Sequence, residues 1–432
     1  MHGDAAGIFS CRRFPGENGH LLQTIHDPYG TGANIVIVGA SDEPGLRAAT
    51  ERFCGLVPAD GMLGRLYDLQ PAPQYAALGE FTYGAGRLII PSGWPQHFAL
   101  ANYGSQDDPR HSAIMYLLTG DDAHAAKYRE QMLRWIEKGI QAHLYVPGWM
   151  ELYDLIEEHP VFTDDDRLRI TAWFLEQVRS QECIGALHIQ RYGWGMPHQN
   201  HGTRPGIGAF YMARYLRNHY HLPEMDVYLN RVANYFDMQA DWSKPMCDSC
   251  MHQWEATLEN KANYALASGN DRFFTSGAAR QAAERALRSS DNNGYLPTFG
   301  DGQWGSNANS LLTKAAEWYG DGRYLWPASV RPGEPRADTD EIIRGFSGDV
   351  QPLPPEDIVG ISVIPYDARF WQGWRNIPRA DRFSPPYVPY ERAFDKIALY
   401  AGDDGRSLKA LVYGRQALAY SLRQDLPLIH QQ

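Results

Sequence analysis

The sequence predicts a mainly α fold: an incomplete α/α toroid, or helical-hairpin barrel, with a small N-terminal α/β piece and the start of a C-terminal β-sandwich. Three observations predict it. From about residue 95 to 325 apolar residues recur at helical spacing and strand-like alternation is scarce. Three junctions share one grammar, Leu118-Thr-Gly-Asp-Asp, Ala267-Ser-Gly-Asn-Asp and Trp318-Tyr-Gly-Asp-Gly, each placing Gly where a helix stops and Asp or Asn where the next begins. The connections between helices vary in length, with long ones at 183–203 and 290–303, which favours a toroid with functional loops over a solenoid of strict period.

Taken in order, Ala33-Asn-Ile-Val-Ile-Val-Gly-Ala reads as a buried strand, and Asp42-Glu-Pro-Gly begins a helix with acidic residues in its first turn. Gly39 and Gly45 bracket the turn without the G-x-G-x-x-G dinucleotide pattern, so a nucleotide site is not expected. His124 to His143 is an amphipathic run. Thr163 caps the next helix, with Asp164, Asp165 and Asp166 in its first turn. Further helical runs cover 206–218, 223–240, 252–268, 271–289 and 304–319. Residues 327–390 are rich in Pro and charge and read as an extended connector. Phe394-Asp-Lys-Ile-Ala-Leu-Tyr and Leu408-Lys-Ala-Leu-Val-Tyr read as a strand, a turn and a strand. The expected organisation is therefore an accessory module over 1–75, the helical catalytic domain over 76–328, a connector over 329–390 and an incomplete sandwich over 391–432.

Composition narrows the function. The chain of 432 residues carries 40 Lys and Arg against 51 Asp and Glu, a net charge of −11, without a basic run, which argues against nucleic acid as partner. The stretch Ala33 to Ala40 is among the longest apolar ones and far shorter than the roughly 20 residues a bilayer requires, so no membrane role is expected. No charged segment followed by a continuous apolar one opens the chain, so no secretory signal is read there. Five cysteines are too few and scattered for a disulfide framework. Cys247, Cys250 and His252 have metal-ligand spacing, yet a structural zinc normally takes four ligands and no second pair is present. No metal or cofactor is expected. Tyr (25) and Trp (12) together outnumber Phe (16), which suits either a sugar-binding groove or helix packing seams.

The densest polar and aromatic segment is Gln190-Arg-Tyr-Gly-Trp-Gly-Met-Pro-His-Gln-Asn-His-Gly-Thr-Arg-Pro-Gly. It gathers His198, Asn200, His201 and Arg204 on a loop entering a helix, a set of donors suited to an anion. His198-Gln-Asn-His-Gly-Thr-Arg-Pro resembles the Asn-His motif of the heparinase II/III-like and alginate-lyase-like polysaccharide lyases. Trp149-Met-Glu-Leu-Tyr-Asp-Leu-Ile-Glu-Glu-His-Pro-Val-Phe, Leu296-Pro-Thr-Phe-Gly-Asp-Gly and Tyr390-Glu-Arg-Ala-Phe-Asp-Lys-Ile are weaker resemblances to the same group. The first sixty residues resemble the accessory domain of α-glucuronidase-like enzymes.

The resemblance implies β-elimination on a uronic-acid polysaccharide. Asn200 and His201 would neutralise the substrate carboxylate, the logic of an oxyanion hole, with Arg204 assisting. A base then takes the C5 proton and an acid protonates the leaving O4. His252 stands where the family usually has a Tyr base; it serves either as that base or only as a cap or packing partner of Trp254. Tyr192, Tyr211, Tyr264 and Tyr295 are candidates for the acid, Tyr264 lying among apolar helical residues that suit a core. Arg191, Tyr192, Trp194, His198, Trp149, Glu151, Asp154, Trp254 and Asp301 are the further expected substrate contacts. The partner is then an anionic polysaccharide or oligosaccharide, and the resemblance suggests a secreted or periplasmic location. Residues 414–432 lack the histidines of the family's sandwich motif. Two rivals stand beside the lyase. One is glycoside hydrolysis by a carboxylate pair drawn from Glu151, Asp154, Glu157, Glu158 and Asp301, with Glu157 and Glu158 expected to be solvated near a helix end. The other is a carbohydrate-binding remnant without catalysis.

Overall fold

The computed structural model describes residues 10, 14–73, 82–84, 87–89, 109–139, 146–180, 200–243, 254, 257–291, 293–297, 308–330, 350–358, 361–365, 394–400, 409–413 and 429–431. The protein is mainly helical with a small N-terminal sheet. It divides into two compact units, one from residues 1–183, 208–230 and 336–346, the other from residues 184–207, 231–335 and 347–432.

In the first unit, β1 (His20–Ile25) is the centre of a three-stranded antiparallel sheet, flanked by β2 (Ile35–Ala40) and β3 (Tyr67–Gln70). His20 lies opposite Ala40 on one side and Gln70 on the other. Every residue of β1 is buried, whereas β2, expected to be a buried strand, is half-buried along its length. An edge strand has a neighbour on one side only, so its apolar run signals β structure without securing full burial. Helix α1 (Glu43–Leu56) starts where Asp42 accepts the Gly45 N–H at 2.8 Å and the Asn18 N–H at 2.9 Å. A Cβ on Gly45 would lie 2.4 Å from the Gly19 carbonyl oxygen, so a larger residue there would push the helix off the sheet. Leu22, Ala49 and Leu66 form the core between them, with Phe53 and Leu56 packed against it. A short hairpin pairs β4 (Thr82–Gly84) with β5 (Arg87–Ile89).

Four helices follow in this unit: α2 (Pro109–Thr119), α3 (Asp122–Glu137), α4 (Val146–Ile156) and α5 (Asp164–Arg179). The Gly120 N–H closes α2 onto the Tyr116 carbonyl at 2.7 Å, and Asp121 then caps α3 by accepting the Ala123 N–H at 2.9 Å. Thr163 and Asp166 form a reciprocal capping box at the start of α5. Tyr153 meets Phe162 edge-on at 5.7 Å, and Tyr128 meets the same ring at 6.1 Å.

Helix α6 (Asn200–His219) has residues 200–207 in the second unit and 208–219 in the first; α7 (Met225–Asp237) follows it. The second unit continues with α8 (Glu259–Ser268), α9 (Arg272–Thr275), α10 (Ala278–Ser289), α11 (Asn309–Tyr319) and α12 (Trp326–Ser329). The helical run expected over 271–289 is broken at Gly277, whose φ of 82° no continuing α-helix can accept. Its core is a ladder of Ala279, Ala282, Ala283 and Ala286 facing Leu311, Leu312 and Ala315, walled by Trp254 and Phe273. Small side chains let the helix backbones approach closely, so apolar surface is buried by the bulkier partners.

A four-stranded antiparallel sheet holds β6 (Ile361–Pro365), β7 (Phe394–Tyr400), β8 (Lys409–Tyr413) and β9 (Ile429–Gln431) in that order. The expected pair, β7 and β8, is joined by β6, which arises within the stretch read as a connector and pairs Ile361 with Leu399. Among the described residues no helix is long and apolar enough to cross a membrane.

Candidate functional site

Asn200 and His201 open α6, with Thr203 and Arg204 in the same turn; Thr203 is fully buried and Arg204 half-buried. The first N–H groups of a helix have no partner within it, and the aligned peptide dipoles leave partial positive charge there. Pro205 lies inside this helix and has no N–H, so the His201 carbonyl lacks its usual donor four residues on. The start of α6 is therefore the positive end of a helix dipole, opening at Asn200 and His201. An anion suits such a place.

Further along α6, Tyr211 is 2% exposed, its ring 5.6 Å from Phe210, and the Arg214 guanidinium lies over both rings at 5.1 and 5.2 Å. In the second unit Tyr264 stacks on Phe236 with ring centres 4.4 Å apart and is 6% exposed; burial, with Asp237 nearby, pushes its hydroxyl up to about 12. Trp254 is 1% exposed at the heart of the second unit's core. Tyr264 and Trp254 are thus packing residues in this conformation, because an aromatic ring with no open face has no sugar to stack on. Tyr264 also borders a water-sized hollow with Asp237, Lys261 and Asn270.

Trp149 and Glu151 lie on α4. Arg191, Tyr192, Trp194, His198, His252 and Asp301 lie outside the described residues, as do Cys247 and Cys250. No group of three His, Cys, Asp or Glu side chains suited to a metal ion occurs among the described residues.

The structure assembles a second polar constellation in the first unit, around Asp154. Its Oδ1 is 3.4 Å from the His219 Nε2. One turn on, Glu157 accepts a hydrogen bond from the Tyr215 hydroxyl, and the Glu158 Oε2 pairs with the Arg65 Nε at 2.8 Å. Glu157 and Glu158, expected to be solvated, are 7% and 4% exposed. The chain turns back after α4 through the buried His159, so the helix end points into protein and not into water. Burial raises all three acids from their ordinary values, Glu157 well above its own. Tyr215 and His219, which complete this group, were not among the expected site residues. Their spacing of four, matched against acids at 154, 157 and 158, was the available signal.

No family model matches the chain, and no curated protein matches it. Among solved structures it is similar to the crystal structure of heparinase III, with 13% sequence identity and a TM-score of 0.40 over 71% of this chain and 44% of that one. The chain thus spans less than half the length of that protein.

Proposed function

We propose that this chain is a polysaccharide lyase that cleaves a uronic-acid polysaccharide by β-elimination. The observation that carries the reading is the Asn200-His201 pair at the opening turn of α6, within the segment that resembles the Asn-His motif of such lyases. The C5–H of a uronate is a very weak acid while the neighbouring carboxylate stays charged. Donors from Asn200 and His201, aided by the helix N-terminus, would neutralise that carboxylate and stabilise the enolate-like transition state. His252 or a tyrosine takes the C5 proton, electrons form the C4–C5 double bond, and an acid returns a proton to O4 as the glycosidic bond breaks. Burial disfavours Tyr211 and Tyr264 as that acid, at 2% and 6% exposure, which leaves Tyr192 and the half-buried Tyr295. Arg204, Arg191 and Trp194 are the proposed contacts with neighbouring sugars.

The burial of Glu157 and Glu158 supports elimination over hydrolysis. A hydrolytic carboxylate pair must flank a substrate bond, and these two are engaged with Tyr215 and Arg65 inside the protein.

The test is ultraviolet absorbance during incubation with alginate, glucuronan, hyaluronan, chondroitin and heparan. Elimination creates an absorbing unsaturated end, and Asn200→Ala is expected to lower its rate by about a hundredfold or more with the fold retained. New reducing ends without absorbance would instead establish hydrolysis. Binding without either product would establish a carbohydrate-binding chain.

A further inference from the structure

The buried acids of the first unit play no part in the proposed elimination. Glu157 and Glu158 stand three and four residues after Asp154, and the end of α6 closes over Asp154 and Glu157. From α6, Tyr215 donates to Glu157, His219 reaches Asp154, and Arg214 also faces Asp154. The Tyr220 hydroxyl, just beyond α6, bonds with Tyr215 and with Thr171 of α5. Tyr153 and, from α3, Tyr128 close the apolar side.

Cations are few here and mostly committed elsewhere. Arg65 pairs with Glu158 at 2.8 Å. Arg167 of α5 donates to the backbone carbonyls of Glu157 and His159 at 2.8 and 3.0 Å and to Asp164 at 3.2 Å. His159 turns toward Asp122, 3.2 Å away. Glu157 is thus an acid held by a neutral tyrosine, between two further acids, in a buried place. An ionised carboxylate there is disfavoured unless paired.

We propose that the joint between the end of α4 and the end of α6 is a pH-operated lock, closed while Glu157 carries a proton and loosened when that proton passes to solvent. Burial is the largest cause favouring the neutral acid; Asp154 and Glu158 add to it, and Tyr215 and Arg65 oppose it. The sign follows from linkage. The folded state keeps a proton that the unfolded chain gives up near the ordinary glutamate value, so stability falls as pH rises above that value until the folded-state value is passed.

The experiment is thermal unfolding of the full chain from about pH 4.5 to about pH 8 for wild type, Glu157→Gln and Tyr215→Phe. The wild-type melting temperature is expected to fall with pH. Glu157→Gln, neutral and of the same shape, is expected to remove about half or more of that fall. Tyr215→Phe removes a donor to the charged form and is expected to extend the fall to higher pH, its onset unchanged. Infrared difference spectra supply a direct reading: a protonated carboxyl band in the wild type at neutral pH, lost in Glu157→Gln. A Glu157→Gln melt that follows the wild-type pH course, or a wild type without that band, overturns the lock. Should Glu157→Gln fail to fold, the titration of that band in Tyr215→Phe decides: a midpoint moved to higher pH assigns the band to Glu157, and an unmoved one overturns the lock. No substrate enters either measurement, so the outcome is separate from that of the lyase assay.

Discussion

Asp166 shows how much one side chain settles locally. Its two oxygens accept from the Arg129 guanidinium at 2.7 and 2.9 Å, and Oδ2 also takes the Thr163 N–H at 2.9 Å. Burial alone would raise its pKa; the bonds from Arg129 and Thr163 outweigh burial and hold the carboxyl at about 2. The folded value lies below the unfolded one, so this stabilisation is complete above the ordinary aspartate value and is lost as pH falls through about 2. Asp166→Asn is expected to lose about 2 kcal/mol at neutral pH, read from denaturant unfolding. The same variant should show a shallower loss of stability between pH 4 and pH 2 than wild type (about these values). Glu157, buried with a tyrosine donor in place of a guanidinium, is shifted in the opposite direction, upward.

At the scale of elements, the Gly-Asp junctions set where helices stop. Gly120 and Gly320 have φ of 68° and 65°, a backbone region that costs an L side chain about 1 kcal/mol. Their surroundings differ. A Cβ at Gly120 would lie 3.0 Å from the Pro71 Cδ and 3.3 Å from the Leu69 carbonyl oxygen, whereas at Gly320 it would meet open space. Gly320→Ala is therefore expected to cost about 1 kcal/mol and Gly120→Ala about 2 kcal/mol or more, measured by thermal unfolding. Equal losses would show that Pro71 and the end of β3 yield without penalty.

For the whole molecule, charge is the governing quantity. A chain with a net charge of −11 repels a polyanion at long range, so on the proposed reading capture of a uronan would rest on cations close together in the sequence, such as Arg191, His198, His201 and Arg204. Screening acts over about 10 Å at 0.1 M salt, which weakens the distant repulsion more than direct contacts. The specificity constant on a uronan is therefore expected to rise as salt increases from low values toward about 0.1 M, measured by initial rates. A steady fall over that range would mean that the local cationic field outweighs the net charge. A hydrolase or a binding chain that captures the same polymer would show the same salt trend, so this measurement tests the electrostatics and not the chemistry.

The sequence by itself determined what depends on neighbours along the chain. Thr163 with Asp166 announces a capping box, Gly120 with Asp121 announces a stop and a start, and the apolar runs of β7 and β8 announce paired strands, because each signal lies within a few residues. The Asn200-His201 pair is a signal of the same local kind, and it opens α6. Tertiary structure decided what depends on distant residues. His20–Ile25 gives little strand signal yet becomes the buried centre of its sheet, because β2 and β3 supply partners from both sides. Glu157 and Glu158 read as solvated at a helix end and are buried, because Tyr215 of α6 arrives on Glu157 from some sixty residues away and Arg65 arrives on Glu158 from just before β3. Tyr264, whose apolar neighbours already suited a core, stacks on Phe236, and Trp254, expected as a substrate contact, is buried beside the alanine ladder. Local hydrogen bonds are written in short spacings; burial is a property of the surface that remains after distant segments have packed.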